Sequence, residues 1–251
     1  MATKSGEQFV AVEEAARLLD VTKRHVARLG DLGQIRYVGR GLVDRDSIAE
    51  YLQERDFYRS RAWSEETAWG AVALLSGLHV DWLGQVQTSR LRGRLRELAE
   101  DERGAHELVG RTRNRARVMR YESYGFLAAR LRKEIVPVSR RRLGLADTKQ
   151  VDGYIDTERL AALEGKYGLR RSPRGDMTMR STSFDISVVK TIASRGNGAL
   201  AALDAAGSMD AREHGAGSRA LATHLERFAE GHAHDEAGAR PRNGRRQTSH
   251  V

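Results

Sequence analysis

The sequence predicts an α+β fold class: an N-terminal winged helix-turn-helix followed by a larger, mainly helical α+β domain. Residues 9–55 carry two short amphipathic helical patterns separated by a turn, then an alternating stretch around a Gly-Arg-Gly turn. Residues 63–230 read in the order helix, helix, strand, helix, strand, strand, helix, strands, helices, which predicts α+β packing. Residues 231–251 hold Gly, Pro, Arg, Asn and Ser with almost nothing apolar, and predict a disordered tail. The expected domains are therefore 1–58, 59–230 and the tail 231–251.

In the first domain, residues 13–19 form a helix with Ala15, Ala16, Leu18 and Leu19 on its apolar side. Asp20 and Val21 make a turn too short to reverse the chain fully. Thr22 supplies an N-cap hydroxyl for a second helix over 23–32, in which Val26, Leu29 and Leu32 recur three apart and face inward. Lys23, Arg24, Ala27, Arg28 and Asp31 then face outward. Gly33 is expected to stop that helix in a left-handed conformation. Residues 35–43 alternate through Gly39-Arg40-Gly41, a two-stranded wing with Arg40 at its tip. Asp46 or Ser47 opens a third helix that returns Ile48, Tyr51 and Leu52 to the core.

A helix that begins with cations can enter the major groove of DNA, where arginine's planar fork donates two hydrogen bonds to guanine. A glycine-flanked Arg40 can reach phosphate or a narrow minor groove. The candidate DNA-binding residues are Thr22, Lys23, Arg24, His25, Arg28, Arg36 and Arg40. These stretches resemble the MerR/excisionase-type winged helix-turn-helix, whose E-E-A-A-x-L-L, V-[ST]-x-x-x-V-x-x-L and V-G-R segments recur in order at 13–19, 21–29 and 38–40. Two positions depart from that pattern. Relatives often cap the first helix with Ser or Thr where this chain has Ala11, a loss worth about 1 kcal/mol. The inter-helix turn often holds Gly where this chain has Asp20, which tolerates a left-handed conformation better than most residues.

At 251 residues the chain has room for two modest domains. No run of about 18 apolar residues exists and the N-terminus lacks an apolar signal core, so no membrane partner is expected and the expected location is cytoplasmic, on the nucleoid. The absence of cysteine excludes disulfides, thiol catalysis and Cys-type zinc sites. A net charge of +9 suggests a polyanionic partner. Its distribution weakens that inference. Residues 1–58 hold nine Lys/Arg against ten Asp/Glu, residues 59–147 eighteen against eleven, and residues 148–251 sixteen against thirteen. The excess thus lies outside the expected DNA reader, and the abundance of Arg, Ala and Gly fits a GC-rich genome.

In the second domain, Ser64 caps a helix over 65–76 with Trp69, Val72 and Leu74/Leu75 at helical spacing and Gly77 just beyond. A helix over 88–100 buries Leu91, Leu95 and Leu98. Residues 116–121 have strand character, 124–134 are helical, and 135–138 form a short apolar run. Residues 151–155 read as a strand, Asp156 or Thr157 caps a helix closed by Gly168, and 176–181 and 185–192 read as two more strands. Residues 199–206 and 210–229 are alanine-rich helices. The segments 63–77, 91–121, 151–169 and 199–221 resemble actinobacterial regulators of the abortive-infection, type IV antitoxin kind. That resemblance implies a DNA-binding head joined to an antitoxin domain, and a nucleotidyltransferase toxin encoded by the neighbouring gene.

The remaining candidates have bland explanations. His232 and His234 beside Asp235 lack further anchored metal ligands. Thr22, Ser64 and Ser208 are better read as helix caps than as nucleophiles. Arg195-Gly196-Asn197-Gly198 lacks the lysine and Ser/Thr of a P-loop, and Asp152 and Asp156 are expected to be exposed charges. The arginines between Arg90 and Arg120 could serve as a second phosphate-binding surface or a toxin-binding surface, with a solvated face slightly favoured. No nucleophile, base and orienting group assemble. The expectation is a non-enzymatic transcriptional regulator without cofactor or metal, an autoregulating antitoxin that binds double-stranded DNA as a homo-oligomer on repeated half-sites. The alternatives are a ligand-sensing regulator with Trp63, Trp69, Trp82 and the tyrosines around a pocket, and an excisionase-like architectural recombination factor.

Overall fold

In the computed structural model, which describes residues 8–31, 34–58, 61–122, 125–146, 150–172, 175–208 and 210–238, the chain opens on a strand that the sequence pattern did not announce. β1 (Phe9–Ala11) is followed by α1 (Val12–Leu19), α2 (Lys23–Asp31), β2 (Tyr37–Gly39), β3 (Leu42–Asp44) and α3 (Arg45–Tyr58). β1 is three residues long, too short for alternation to stand out, and it forms by pairing antiparallel with β3, which also pairs with β2. Val26 and Leu29 of α2 are buried with Val10, Ala15, Ala16, Leu19, Ile35, Val43 and Ile48. Ala11 caps α1 without a side-chain bond, Asp20 takes φ 53° in the turn, and the Thr22 hydroxyl accepts from the His25 N–H at 3.3 Å. The expected inward Leu32 and stop at Gly33 lie outside the described residues.

The start of α3 corrects the expected cap. Asp44, not Asp46 or Ser47, stands at its N-cap, where its Oδ1 accepts from the Asp46 N–H at 3.3 Å. Ser47 is buried instead, its hydroxyl donating to the Asp44 carbonyl at 2.7 Å and accepting from the Arg36 N–H at 2.9 Å. The helix continues through 53–58, part of which was expected as linker.

The rest of the chain is mixed α+β: α4 (Glu65–Leu75), α5 (Gln85–Glu100), α6 (Gly104–Arg111), β4 (Arg117–Tyr121), α7 (Gly125–Leu131), β5 (Val136–Pro137), β6 (Asp152–Asp156), α8 (Thr157–Tyr167), β7 (Met177–Thr182), α9 (Ile186–Arg195), α10 (Ala199–Ala206) and α11 (Ala211–Gly238). The sheet order is β4-β7-β6-β5, with β6 and β7 parallel and α8 crossing between them. Alternation along the strands divides the core. Ile155, Met177, Met179 and Tyr121 pack with Leu127 and Leu131 of α7 and Leu160 and Leu163 of α8. Tyr154, paired with Arg180 across β6 and β7, belongs to the other face, with Trp69, Leu91, Leu95, Leu98, Leu203 and Leu221. Trp69 donates from its ring nitrogen to the Thr182 hydroxyl at 3.1 Å and meets the Tyr154 ring edge-on at 5.2 Å. Trp63 and Trp69 are thus buried members of this core.

α10 and α11 touch along their backbones at Gly217. A methyl group there would lie 2.2 Å from the Ala206 nitrogen, so no larger residue allows this approach. The alanines of α10 serve the same closeness, since seven of its eight residues are Ala or Leu.

Several expectations are overturned here. Residues 185–192 are no strand: Asp185 caps α9, its Oδ1 accepting from the Ser187 N–H at 2.8 Å, and Val189 and Ile192 are buried three apart. Five β-branched residues, Ile186, Val188, Val189, Thr191 and Ile192, imitate strand composition there, but the spacing of the buried ones is helical. α6 was not foreseen; it buries Leu108 and Val109 and runs beside α3. α5 begins at Gln85 rather than at Thr88, and α7 ends at Leu131. Asp210, not Ser208, caps α11, accepting from the N–H groups of Arg212 and Glu213 at 2.9 Å. α11 also runs to Gly238, so 231–238 are helical where disorder was expected, and 239–251 lie outside the described residues. Among the described residues no helix is long and apolar enough to cross a membrane.

Candidate functional site

The outward face of α2 presents Lys23, Arg24 and Arg28 as exposed side chains, with Thr22 exposed at its start and His25 half-buried. Arg40 is exposed in the turn between β2 and β3. Lys23 reaches back to α1, where its Nζ lies 2.5 Å from the Glu13 carboxylate. That hydrogen bond holds the Glu13 carboxyl below its ordinary value. Among the described residues Arg24, Arg28 and Arg40 form no ion pair, so the face keeps three arginines open to solvent. The ribbon is seated on the helix by one close approach. A methyl group on Gly30 of α2 would lie 2.4 Å from the Tyr37 ring of β2, so the aromatic ring rests directly on the helix backbone.

Arg36 does something different from its neighbours. Its guanidinium pairs with Asp44, which is buried at the start of α3, and its backbone N–H bonds to Ser47. It fastens the ribbon to α3 from a half-buried position.

A second constellation, absent from the sequence reading, lies on the Tyr154 face of the larger sheet. Asp204 of α10 is buried, and its Oδ1 accepts from Arg115 at 2.6 Å and from the Tyr154 hydroxyl at 2.7 Å. Arg115 also donates to the Tyr154 hydroxyl at 3.0 Å. Arg180 lies 3.6 Å from the same carboxylate and pairs with Asp152, which Arg140 also bonds; Arg140 in turn reaches Glu213. Burial pushes the Asp204 carboxyl up, but Arg180 and Arg115 outweigh it and hold the group below its usual range, hence ionised. Burial is also the main reason that the Tyr154 phenol is raised and stays protonated. Asp204 Oδ2 is buried and finds no hydrogen-bond partner among the described residues.

This cluster lines a cleft of about 880 Å³, whose lining also includes Arg113, Arg117 and Arg120. Two expectations change accordingly. Asp152 is no exposed charge, because it sits between Arg140 and Arg180 with its side chain 14% exposed. The arginine-rich run is not one solvated face either: Arg90 and Arg94 are exposed, whereas Arg115 is buried, Arg113 and Arg120 are half-buried, and Arg117 stands on the opposite, Met119 face of the sheet. The available signal was a lone aspartate inside the alanine-rich segment 199–206 and a lone arginine in the middle of a strand, each needing a partner far away in sequence. Among the described residues no three His, Asp or Glu side chains converge as metal ligands would.

No family model, no curated protein and no solved structure matches this chain.

Proposed function

We propose that this protein is a sequence-specific DNA-binding transcriptional regulator in which 9–58 act as a winged helix-turn-helix. One observation carries the reading: Arg24 and Arg28 stand on the exposed face of α2 without an ion-pair partner among the described residues, beside a ribbon that bears Arg40 and rests on the same helix. In this reading the start of α2 enters the major groove and its arginines donate to base edges, while Arg40 holds phosphate or the adjoining minor groove. Residues 1–58 carry a net charge of −1, nine cations against ten anions, so a single head gains little from counterion release. Two copies on repeated half-sites therefore supply the affinity. The test is selection from a randomised duplex library with the full chain. Enrichment of a repeated motif supports the reading, and recovery of no motif at all removes it.

The finer reading is an autoregulating type IV antitoxin whose partner is a nucleotidyltransferase toxin encoded next to it. It rests on the resemblance in segment order alone. Growth decides it: cells expressing the neighbouring gene product should be rescued by the full chain, and failure of that rescue leaves only the DNA-binding regulator.

A further inference from the structure

We propose that the crevice at the carboxyl ends of β6 and β7 binds a free apolar amino acid, with Arg117 holding its carboxylate and Glu65 its ammonium. The fold itself makes the crevice. β6 and β7 are parallel neighbours, but the helices that follow them leave to opposite sides of the sheet. α8 packs Leu160 and Leu163 with Met177 and Met179, whereas α9 packs Val189 and Ile192 with Trp69 and Tyr154. A sheet opens at such a reversal, and ligands of α/β folds bind there, outside the carboxyl ends of the strands. A cavity of about 320 Å³ lies at this place, lined by Thr157 from the start of α8 and by Ser181 and Ser183 from the end of β7. That is the small end of the range for ligand sites and suits a molecule of amino-acid size.

Two opposite charges line this cavity and form no ion pair among the described residues, with each other or with a third group. Glu65 is half-buried and accepts only from neutral donors: the Thr182 hydroxyl at 2.5 Å, the Ser183 N–H at 2.9 Å, the Phe184 N–H at 3.2 Å and the Ser183 hydroxyl. Arg117 is exposed and stands directly across from Ser181 of β7. The nearby Glu164 is already taken by Arg171 at 2.8 Å and by the Tyr121 hydroxyl at 2.6 Å. The Arg171 hydrogen bond, well ahead of the charge of Arg117, is what lowers the Glu164 carboxyl. An exposed arginine alone would be an ordinary surface residue. A half-buried carboxylate without a cation, in the same cavity, matches a ligand that carries charges of both signs. The Thr157 and Ser181 hydroxyls, 3.1 Å apart, can each turn to donate or accept. The start of α8 itself offers less to an anion, since Asp156 already accepts from the Arg159 N–H at 2.9 Å. Ala116, Met119, Leu160 and Ala161 complete the lining and suit an apolar side chain.

Titration calorimetry on the full chain tests this with leucine and methionine, with isocaproate and isoamylamine, which are leucine without its amino group and without its carboxylate, and with the dipeptide leucyl-leucine. Leucine or methionine should bind, and each one-ended analogue should be weaker by about tenfold or more, because it engages only one of the two charges. Arg117→Ala, at an exposed strand position, should weaken leucine binding by about tenfold or more with the melting temperature retained, and Arg117→Lys should restore part of it. Glu65→Gln should weaken leucine but leave isocaproate unchanged. Should that variant not fold, the comparison of leucine with isocaproate on the wild-type chain tests the same end of the site. The proposal is overturned if neither amino acid binds the wild-type chain, if either analogue binds as tightly as leucine, or if Arg117→Ala or a folded Glu65→Gln binds leucine normally. Tighter binding of the dipeptide than of either amino acid would overturn it too, making the crevice a peptide site.

Discussion

The Tyr37 ring lies against the backbone of Gly30, closely enough that a methyl group at position 30 would stand 2.4 Å from a ring carbon. Two effects of Gly30→Ala compete. Alanine favours a helix over glycine by about 1 kcal/mol, whereas overpacking costs about 1–3 kcal/mol. Tyr37 is 38% exposed, so the ring can swing outward and the ribbon gives way before the helix does. Gly30→Ala should therefore be near neutral in urea unfolding yet weaken DNA binding. In a Tyr37→Ala background the same change should stabilise by about 1 kcal/mol. An equal effect in the two backgrounds would mean that the contact does not position the ribbon.

The arginines of the head should separate into three behaviours. Arg24→Ala or Arg28→Ala should relax the preference at one base pair by about 1–3 kcal/mol. Arg40→Ala should weaken all sequences evenly and reduce the salt slope by about one. Arg36→Ala should instead lower stability, by about 2 kcal/mol, because it removes the ion-pair partner of the buried Asp44. That is less than the loss from a fully buried pair, since Arg36 is 28% exposed and Asp44 3%. Library selection and urea melts on the four variants check the division; unaltered base preference in both α2 variants would displace α2 from the groove.

Periodic apolar spacing made Val26/Leu29 and Leu91/Leu95/Leu98 legible, because one residue's neighbours along the helix report its burial. Thr22, Asp20, Ser64 and Asp156 were legible as caps or turns for the same local reason. What escaped depends on partners distant in sequence. β1 exists only through β3, and Arg115 finds Asp204 from 89 residues away. Arg36 resembles its neighbours on the proposed DNA face in sequence, and only its distant partner Asp44 sets it apart. In α9 the misreading was local, since β-branched residues weighed more than their three-residue spacing.

The buried charges should be intolerant of partial removal. Asp204→Leu leaves Arg115 and Arg180 facing each other without their shared carboxylate, and should destabilise by about 3–5 kcal/mol. Asp204→Asn retains the shape and one acceptor for Tyr154 and Arg115, and should cost less. Chemical denaturation of both variants tests the order; equal losses would mean that the lost charge, and not the remaining acceptor, sets the cost at this position.

The pH dependence of stability should fall in two separable steps. His224 on α11 is buried with no partner for its Nδ1, and burial first, then Arg227 and Arg142, hold its pKa below 6.5. The unfolded chain then binds this proton more readily than the folded one. The contribution of His224 is therefore full above about pH 6.5 and declines as pH falls below it, until the folded imidazole also protonates. Glu65 gives the second step. Burial pushes its carboxyl up, but hydrogen bonds from Ser183, Thr182 and the N–H groups of Ser183 and Phe184 outweigh burial and lower it from 4.5. Its stabilising effect is complete above pH 4.5 and is lost as pH drops through the folded value. Melting temperatures from pH 8 to pH 4 should thus decline first below about 6.5 and again below about 4.5. His224→Leu should flatten only the first decline and Glu65→Gln only the second, because the two groups sit on α11 and α4 with separate partners. If His224→Leu keeps the full slope between pH 6.5 and pH 5, the first step belongs to another group.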